Sequence, residues 1–329
     1  MISLKQIEPH KVSTNLRGYS VMFYGEPKSG KTTVASHFPN SILFAFEKGY
    51  NALPGVYAAP INSWSEFRKL LRTDLKDPEI QEKFHTIVID TADIAYSLCV
   101  KYILGREGVD AISDIPYGGG YKMAQEEFDE AIRTILNLNY GLVLISHSTE
   151  KTMTNKNGQE YTRIVPTLDK GARLVCNRTC DIIGYATPVK MNEEGAFQTY
   201  LFMRGTPFYD AGSRFKYVPD HIVFNYDNLV GAIQEAIKKQ AEENNNEYVT
   251  DEVTQVVSVD ISFDYQELME KISKYIKTLL EKNEQNSDLI TSIVEKYLGK
   301  GKKVSNCTSS QCEQLELICS ELEENLNNI

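Results

Sequence analysis

The residues with the most definite chemistry are residues 25–32, which read GEPKSGKT. This is the G-x-x-x-x-G-K-[ST] spacing of a phosphate-binding loop, in which backbone N–H groups cradle phosphates. The lysine reaches the β- and γ-phosphates and so acts in catalysis, and the hydroxyl after it ligates Mg²⁺. The preceding run 19–24 is strand-like and the following residues are helical in character. We therefore expect ATP and Mg²⁺ to bind at Gly25, Glu26, Pro27, Lys28, Ser29, Gly30, Lys31, Thr32 and Thr33.

A carboxylate that completes the metal site is expected at the end of a buried strand. Residues 85–90 (HTIVID) form a short apolar run that ends in an acidic side chain. The carboxyl ends of parallel strands lie at one edge of a sheet, beside the phosphate loop. The sequence therefore predicts that Thr32 and Asp90 hold Mg²⁺, directly or through water.

Two further polar residues follow predicted strands and are candidates for catalysis. Glu47 follows the apolar run 42–46, and His147 ends a later one. If the first run neighbours the strand of Asp90, Glu47 lies near the γ-phosphate and orients or deprotonates the attacking water. His147 would sense the γ-phosphate and pass its presence to the next loop. The alternatives are a surface Glu47 paired with Lys48 and a solvent-facing His147.

Two long loops, 105–122 and 149–173, mix cations, aromatic rings and glycine. Cations track a phosphate backbone and aromatic rings stack on bases, so this composition favours single-stranded nucleic acid. Ordinary loops are the alternative, and residues 152–164 are also expected to form a hairpin that turns at Asn157-Gly158. The residues predicted to contact DNA are Arg106, Tyr117, Lys122, Lys151, Lys156 and Arg163.

Exposed cations after the last predicted strand are candidates to reach the nucleotide of a neighbouring subunit as fingers. They are Arg204, Arg214 and Lys216. This hypothesis requires a homo-oligomer, either a ring or a filament. The alternative is ordinary surface charge, with Arg214 pairing locally.

The order of apolar runs predicts an α/β fold with a mostly parallel sheet, since strand-like and helical segments alternate over the first 240 residues. Predicted strands are 20–24, 41–47, 85–90, 141–147, 181–187 and 198–204. Predicted helices are 31–38, 64–73, 92–104, 121–138 and 226–241. We expect an ATPase domain at 1–240, a polar acidic linker at 241–262 and a helical module at 263–329.

Charge is concentrated in the tail. Residues 241–329 carry 18 acidic and 8 basic side chains, a net charge of −10, whereas the first 240 residues carry 27 of each. A neutral core excludes a generally cationic coat for nucleic acid but allows local basic loops. The acidic tail is expected to dock a partner protein or to compete with phosphate for the DNA surface.

Composition places the chain among cytoplasmic proteins. The hydrophobic share is 42%, and no apolar run approaches the ~20 residues that span a bilayer. The first residues lack the apolar core of a signal peptide. Six cysteines without framework spacing suit a reducing compartment. We therefore expect a cytoplasmic protein with no membrane contact.

Taken together, these parts resemble the RecA superfamily, and most closely the phage RecA-core ATPases of the single-strand annealing and recombination group. The resemblance covers about residues 15–235 and rests on the phosphate loop, on FAFEKG at 44–49 and on VIDT at 88–91. PYGGGY at 116–121, LISH at 144–147 and GSRF at 212–215 add to it. It implies a RecA-like core with a twisted sheet, Glu47 as the water-activating residue, His147 in the coupling position, and two DNA-contacting loops.

The expected function is that of a phage-encoded, DNA-stimulated ATPase that binds single-stranded DNA and promotes strand annealing in the host cytoplasm. A helicase-like or helicase-loading ATPase is one alternative, because it would use the same core. A nucleotide-gated protein-interaction switch is another. The residues alone do not separate DNA from RNA.

Overall fold

The computed structural model describes residues 9–191, 195–243, 245, 248–253 and 264–327. The chain divides into two units between Val257 and Ser258. The first unit contains the sheet and the phosphate loop, and the described part of the second contains three α-helices.

The strands are β1 (Val12–Ser13), β2 (Ser20–Gly25), β3 (Ser41–Ala45), β4 (Tyr57–Pro60), β5 (Thr86–Asp90), β6 (Gly141–Thr154), β7 (Glu160–Pro166), β8 (Ile182–Lys190), β9 (Phe197–Phe202), β10 (Gly212–Ser213), β11 (His221–Val223) and β12 (Val249–Thr250). The helices are α1 (Lys31–Ser36), α2 (Trp64–Arg72), α3 (Pro78–Lys83), α4 (Ala92–Glu107), α5 (Gly119–Asn137), α6 (Lys170–Thr179), α7 (Tyr226–Glu242), α8 (Tyr265–Lys282), α9 (Asn286–Leu298) and α10 (Cys312–Asn327).

A mostly parallel sheet organises the first unit. Its strand order is β11-β9-β8-β2-β6-β5-β3-β4, with β10 added to β8 and β7 added to β6. The strands from β8 to β4 are parallel, and β9 and β11 are antiparallel additions at one edge. The carboxyl ends of β2, β3, β5 and β6 therefore meet at one edge of the sheet.

Alternating side chains of the central strands build a core on each face of the sheet. Met22 and Ile87 pack in the core on one face, which α2, α4, α5 and α6 also enter. Phe23 and Val88 pack on the other, with α1 and α7. Because both faces are covered, these strands read as continuous apolar runs in the sequence.

The α/β fold class predicted from the sequence is confirmed, since a P-loop core with a mostly parallel sheet is followed by a helical module. The six predicted strands and five predicted core helices are present, with ends shifted by up to three residues, except that β6 continues seven residues past its predicted end. The predicted hairpin is present as β6 and β7, with its turn at residues 155–159. The sequence reading missed β1, β4, β7 as a full strand, β10, β11, β12, α3 and α6.

The predicted start of the linker, residue 241, differs from the structure. Helix α7 continues to Glu242, and β12 pairs in parallel with β1. The backbone N–H of Val12 donates to Tyr248 O at 2.8 Å. The chain thus remains part of the first unit through β12, while residues 254–262 of the predicted linker lie outside the described residues.

The second unit has a hydrophobic core of its own. Leu268, Ile272 and Leu279 of α8 are buried against Ile293 of α9 and Leu322 of α10. Asp264 begins α8 by accepting hydrogen bonds from the N–H groups of the first turn, a cap that contributes about 1 kcal/mol. No helix among the described residues has both the length and the apolar character that a membrane crossing requires.

Truncation at two positions tests the corrected boundary. A chain that ends at Val253 keeps the pairing of β12 with β1, whereas one that ends at Gln240 loses this pairing and the buried Ala241. We expect the longer chain to unfold at a temperature several degrees higher than the shorter one, as measured by circular dichroism. Equal melting temperatures would show that residues 241–253 are not part of the core.

Candidate nucleotide-binding site

The phosphate loop connects the end of β2 to the start of α1. Gly25 lies against β8 so closely that a Cβ there would be 2.0 Å from Ala186 O, which only glycine avoids. Gly30 has φ +87°, a left-handed conformation that glycine adopts without strain. Gly25 is thus required for the close approach of the loop to β8, and Gly30 is required for the turn into α1.

The ammonium of Lys31 is held inside the loop. It donates to Glu26 O at 2.7 Å, to Gly25 O at 3.0 Å and to Ser29 Oγ at 3.2 Å. Burial lowers the pKa of Lys31, and the nearby carboxylates of Asp90 and other acidic residues oppose this shift. A buried cation whose partners are neutral oxygens is available to phosphate oxygens, which would satisfy its charge.

Thr32 and Asp90 lie together as the metal prediction requires. Thr32 Oγ1 donates to Asp90 Oδ2 at 2.9 Å, and Asp90 is 1% exposed. Burial raises the pKa of the Asp90 carboxyl, and the hydrogen bond from Thr32 opposes this. Gly49 leaves room here, because a Cβ would come within 3.3 Å of Asp90 Oδ2.

These oxygens fit a magnesium ion. Mg²⁺ is commonly held by one or two protein oxygens together with waters and substrate phosphates. In the described parts of the chain no cluster of three or more His, Cys, Asp or Glu side chains could form an all-protein cage. Thr32 and Asp90 would hold the ion, which would neutralise charge on the phosphate oxygens when bound.

Glu47 and His147 are brought to the same place. The backbone N–H groups of Phe46 and Glu47 donate to Asp90 O at 2.7 and 3.2 Å, which fixes Glu47 beside the end of β5. His147 Nε2 lies 3.5 Å from Glu47 Oε1. A cavity of about 320 Å³ is lined by Lys31, Thr32, Glu47, Asp90 and His147, together with other loop residues.

Two side chains that line this cavity each have one buried polar atom without a hydrogen-bond partner. The atoms are Thr91 Oγ1 and His147 Nδ1. Buried polar groups are ordinarily paired with protein or with ordered water. Both atoms are enclosed by protein, so pairing them with a ligand would require the Thr91 or His147 side chain to shift.

Asp93 is a site residue that the sequence reading missed. Its carboxylate accepts hydrogen bonds from Ser146 Oγ at 3.0 Å, from the backbone N–H of His147 at 3.2 Å and from Thr167 Oγ1 at 2.6 Å. Asp93 therefore connects the first turn of α4 to the base of both strands of the β6–β7 hairpin. The sequence signal for Asp93 was its position three residues after Asp90. Its hydrogen-bond partners are distant in sequence, so its role could not be inferred from that position.

The predicted DNA-contacting residues fall into two groups. Lys151, Lys156 and Arg163 lie on the β6–β7 hairpin or its turn, which extends from the strand that carries His147. Arg106 lies in the last turn of α4 and pairs with Glu107 at 2.9 Å. Tyr117 is fully exposed in a left-handed conformation, and Lys122 is in the first turn of α5. The segment 105–122 is thus largely helical rather than an open loop.

The three finger candidates all have partners within their own chain. Arg204 donates to Lys216 O at 2.5 Å. Arg214 lies 3.2 Å from Asp181, next to the start of β8 and away from the phosphate loop. Lys216 forms an exposed ion pair with Glu243 at 2.9 Å. The local pairing weighed for Arg214 is present, and a role of any of the three across a subunit interface stays a prediction.

Comparison with known proteins identifies the family of the core. The family described as "AAA domain" matches residues 17–215, which is more than half of the chain. The SPbeta prophage-derived uncharacterized protein YorG of Bacillus subtilis (strain 168) is 28% identical over 317 residues, covering 95% of each chain. The crystal structure of flagellar accessory protein FlaH from Methanocaldococcus jannaschii is 12% identical at a TM-score of 0.32. That match covers 64% of this chain and 85% of FlaH.

Glu47→Gln tests the role of Glu47 in hydrolysis. The amide keeps the size of the side chain but neither deprotonates nor strongly orients water, which typically costs ~10²–10⁴-fold in rate. We expect normal nucleotide binding and slow hydrolysis, measured by fluorescent-nucleotide titration and single-turnover assays. Glu82→Gln, on the exposed end of α3, is the control. A parallel loss of affinity and rate would make Glu47 a structural residue.

Asp90→Asn tests whether the buried carboxylate is kept for a cation. Burial raises the pKa of Asp90 in the folded protein, so ionisation of this carboxyl destabilises the fold. The destabilisation is absent below the unfolded pKa of about 4 and complete above the folded pKa. In metal-free protein at neutral pH, Asp90→Asn should therefore raise the melting temperature, and the gain should vanish at low pH.

The same variant should lose the extra stabilisation that Mg²⁺ adds to the nucleotide-bound parent. Melting curves with and without Mg²⁺ measure both effects. An unchanged response to Mg²⁺ would remove Asp90 from the metal site.

Proposed function

Because the chain belongs to the AAA domain family of nucleotide-hydrolysing P-loop ATPases, we propose that it hydrolyses ATP with Mg²⁺ to control its binding of single-stranded DNA. In this proposal the DNA-bound protein promotes annealing of complementary strands, and DNA stimulates hydrolysis. The protein acts as a homo-oligomer, with one of the three candidate cations reaching the neighbouring nucleotide.

The observation that carries the proposal is the continuity of β6. This strand of 14 residues begins in the core, passes His147 beside the nucleotide cavity, and continues outward as one arm of the hairpin. Asp93 holds the base of both arms through His147 and Thr167. A shift of His147 on nucleotide binding would therefore move the hairpin without an intervening flexible segment.

The two faces of the hairpin differ in charge. In register, Lys151 lies opposite Arg163 and Met153 opposite Tyr161, so these four side chains share one face. Threonines and the carboxylates of Glu150 and Glu160 occupy the other face. Two cations beside an exposed thioether and an aromatic ring suit a phosphate backbone with its bases.

The paired cations on this face favour an anionic partner. Like charges directly opposite each other on a sheet are destabilising. Asp210 offsets Arg163 at 2.5 Å, but no described ion pair involves Lys151. Phe208, next to Tyr161 at a ring distance of 6.5 Å, is exposed and enlarges the stacking surface. A nucleic-acid phosphate near Lys151 would relieve the repulsion.

The relative from Bacillus subtilis supports a phage origin, since its name describes it as derived from a prophage. A phage-encoded protein of this kind would act in the host cytoplasm. A prophage relative fits an enzyme of phage DNA metabolism, and an annealing ATPase is one such enzyme.

Replacing Lys151 and Lys156 together by alanine tests the proposed DNA surface. The slope of log affinity against log salt for single strands is about −0.7 per phosphate contact, so its magnitude should fall by about 1.4. Fluorescence anisotropy with a labelled oligonucleotide in the presence of ATP measures this. Lys238→Ala with Lys239→Ala, on exposed positions of α7, is the matched control.

Annealing and unwinding assays on the same proteins separate the candidate functions. The parent should speed pairing of complementary oligonucleotides and leave duplexes intact, and the hairpin variant should lose the first activity. ATP-dependent unwinding would instead support a helicase. An unchanged salt slope together with normal annealing would remove the hairpin from the DNA surface.

A further inference from the structure

A second cavity, of about 390 Å³, lies at the amino edge of the sheet. It is lined by Arg17 and Tyr19 before β2, by Asn139 after α5, and by Asp181 and Arg214 beside the start of β8. The phosphate loop begins at the other end of β2. This cavity is therefore separate from the nucleotide site and belongs to the first unit alone.

Side chains that have an unpaired buried polar atom line both of these cavities. Arg17 Nε and Asn139 Oδ1 have no hydrogen-bond partner, as is true of Thr91 Oγ1 and His147 Nδ1 in the nucleotide cavity. Among the described residues, one other side-chain atom, Arg163 Nε, is in the same state. Arg17 Nε and Asn139 Oδ1 are both enclosed by protein, so an occupant of the second cavity would be held by the outer nitrogens of Arg17, which is only partly buried.

Charge in the second cavity favours an anion. The carboxylate of Asp181 is engaged by Ser20, whose N–H and Oγ donate to it at 2.9 and 3.0 Å, and by Arg214 at 3.2 Å. No ion pair in the described part of the chain involves Arg17. The cavity thus contains two guanidinium groups and one carboxylate that is already engaged, which leaves an excess of positive charge.

Two tyrosine hydroxyls among the lining residues are paired with backbone carbonyls. The Tyr19 hydroxyl donates to Ser13 O at 2.7 Å, and the Tyr140 hydroxyl donates to Leu75 O at 3.1 Å. Both hydroxyls are therefore engaged elsewhere, and their residues line the cavity with ring and backbone atoms. Such walls suit the sugar or base of a ligand whose anionic group lies at Arg17.

We propose that this cavity binds a phosphate-bearing ligand of mononucleotide size, anchored by Arg17. A guanidinium matches phosphate oxygens in a two-pronged geometry that an ammonium does not provide. A phosphate has enough oxygens to accept hydrogen bonds from both Arg17 and Arg214, which line the cavity. The volume lies at the lower end of the range for small-ligand pockets.

The test uses the full chain with Lys31→Ala, so that the phosphate loop contributes as little as possible. AMP and inorganic phosphate are titrated by calorimetry into this protein and into the same protein carrying Arg17→Met. Methionine keeps an extended apolar side chain without the guanidinium. We expect AMP to bind the first protein at one site, and Arg17→Met to weaken binding about tenfold or more.

Arg133→Met is the matched control, since Arg133 is exposed on α5 and pairs with Asp129 at 2.7 Å. It should leave AMP affinity unchanged. Weaker binding of inorganic phosphate than of AMP would indicate that the apolar walls hold the nucleoside, whereas equal binding would limit the ligand to its phosphate and overturn the proposed size. Acetate competing as well as phosphate would overturn the phosphate class.

Melting temperatures separate binding from a structural role of Arg17. Exchanging an unpaired buried donor for an apolar group leaves no new unpaired atom, so the ligand-free melting temperature should stay level or rise. A lower ligand-free melting temperature would make Arg17 a structural residue and overturn the proposal, as would unchanged AMP affinity or the absence of AMP binding. None of these results depends on DNA binding or on hydrolysis.

Discussion

The geometry of the nucleotide site depends on Asp90. Its side chain accepts a hydrogen bond from Thr32, and its backbone carbonyl accepts the N–H groups of Phe46 and Glu47. One residue thus positions the hydroxyl after the phosphate loop and the carboxylate expected to act on water. This position buries the Asp90 carboxyl, and burial raises its pKa. Such a charge is disfavoured in the metal-free fold and favoured once a cation is bound beside it.

Much of this site could be predicted because parallel strands place their carboxyl ends at one edge. The phosphate-loop spacing is a local pattern, and it needed only a strand before it and a helix after it. Asp90, Glu47 and His147 each end an apolar run, so a parallel sheet brings them to the same side without knowledge of strand order. Proximity of Glu47 to Asp90 required β3 to neighbour β5, and the register of Ala45 opposite Asp90 confirms this.

Elements whose partners are distant in sequence could not be predicted. Strands β1 and β12 have two residues each, too few to show alternation, and their pairing joins the two ends of the first unit. Helix α6 lies in a segment whose cations suggested a loop, although Ala172 and Val175 are buried. Arg204 donates to backbone carbonyls. Every residue carries a carbonyl, so composition gives no sign of which arginine is engaged in this way.

The unpaired buried atoms show what neither motif nor hydrophobic pattern reveals. An arginine at position 17 or an asparagine at position 139 gives no signal in the sequence, and only the fold shows that one polar atom of each is enclosed without a partner. The same three strands, β8, β2 and β6, connect the two edges where such atoms gather. Gly25 and Ser20 are the two ends of β2, one beside each cavity. A rigid strand therefore positions polar groups at both of its ends, and a sheet built to hold one ligand at its carboxyl edge can hold a second at its amino edge without any added element.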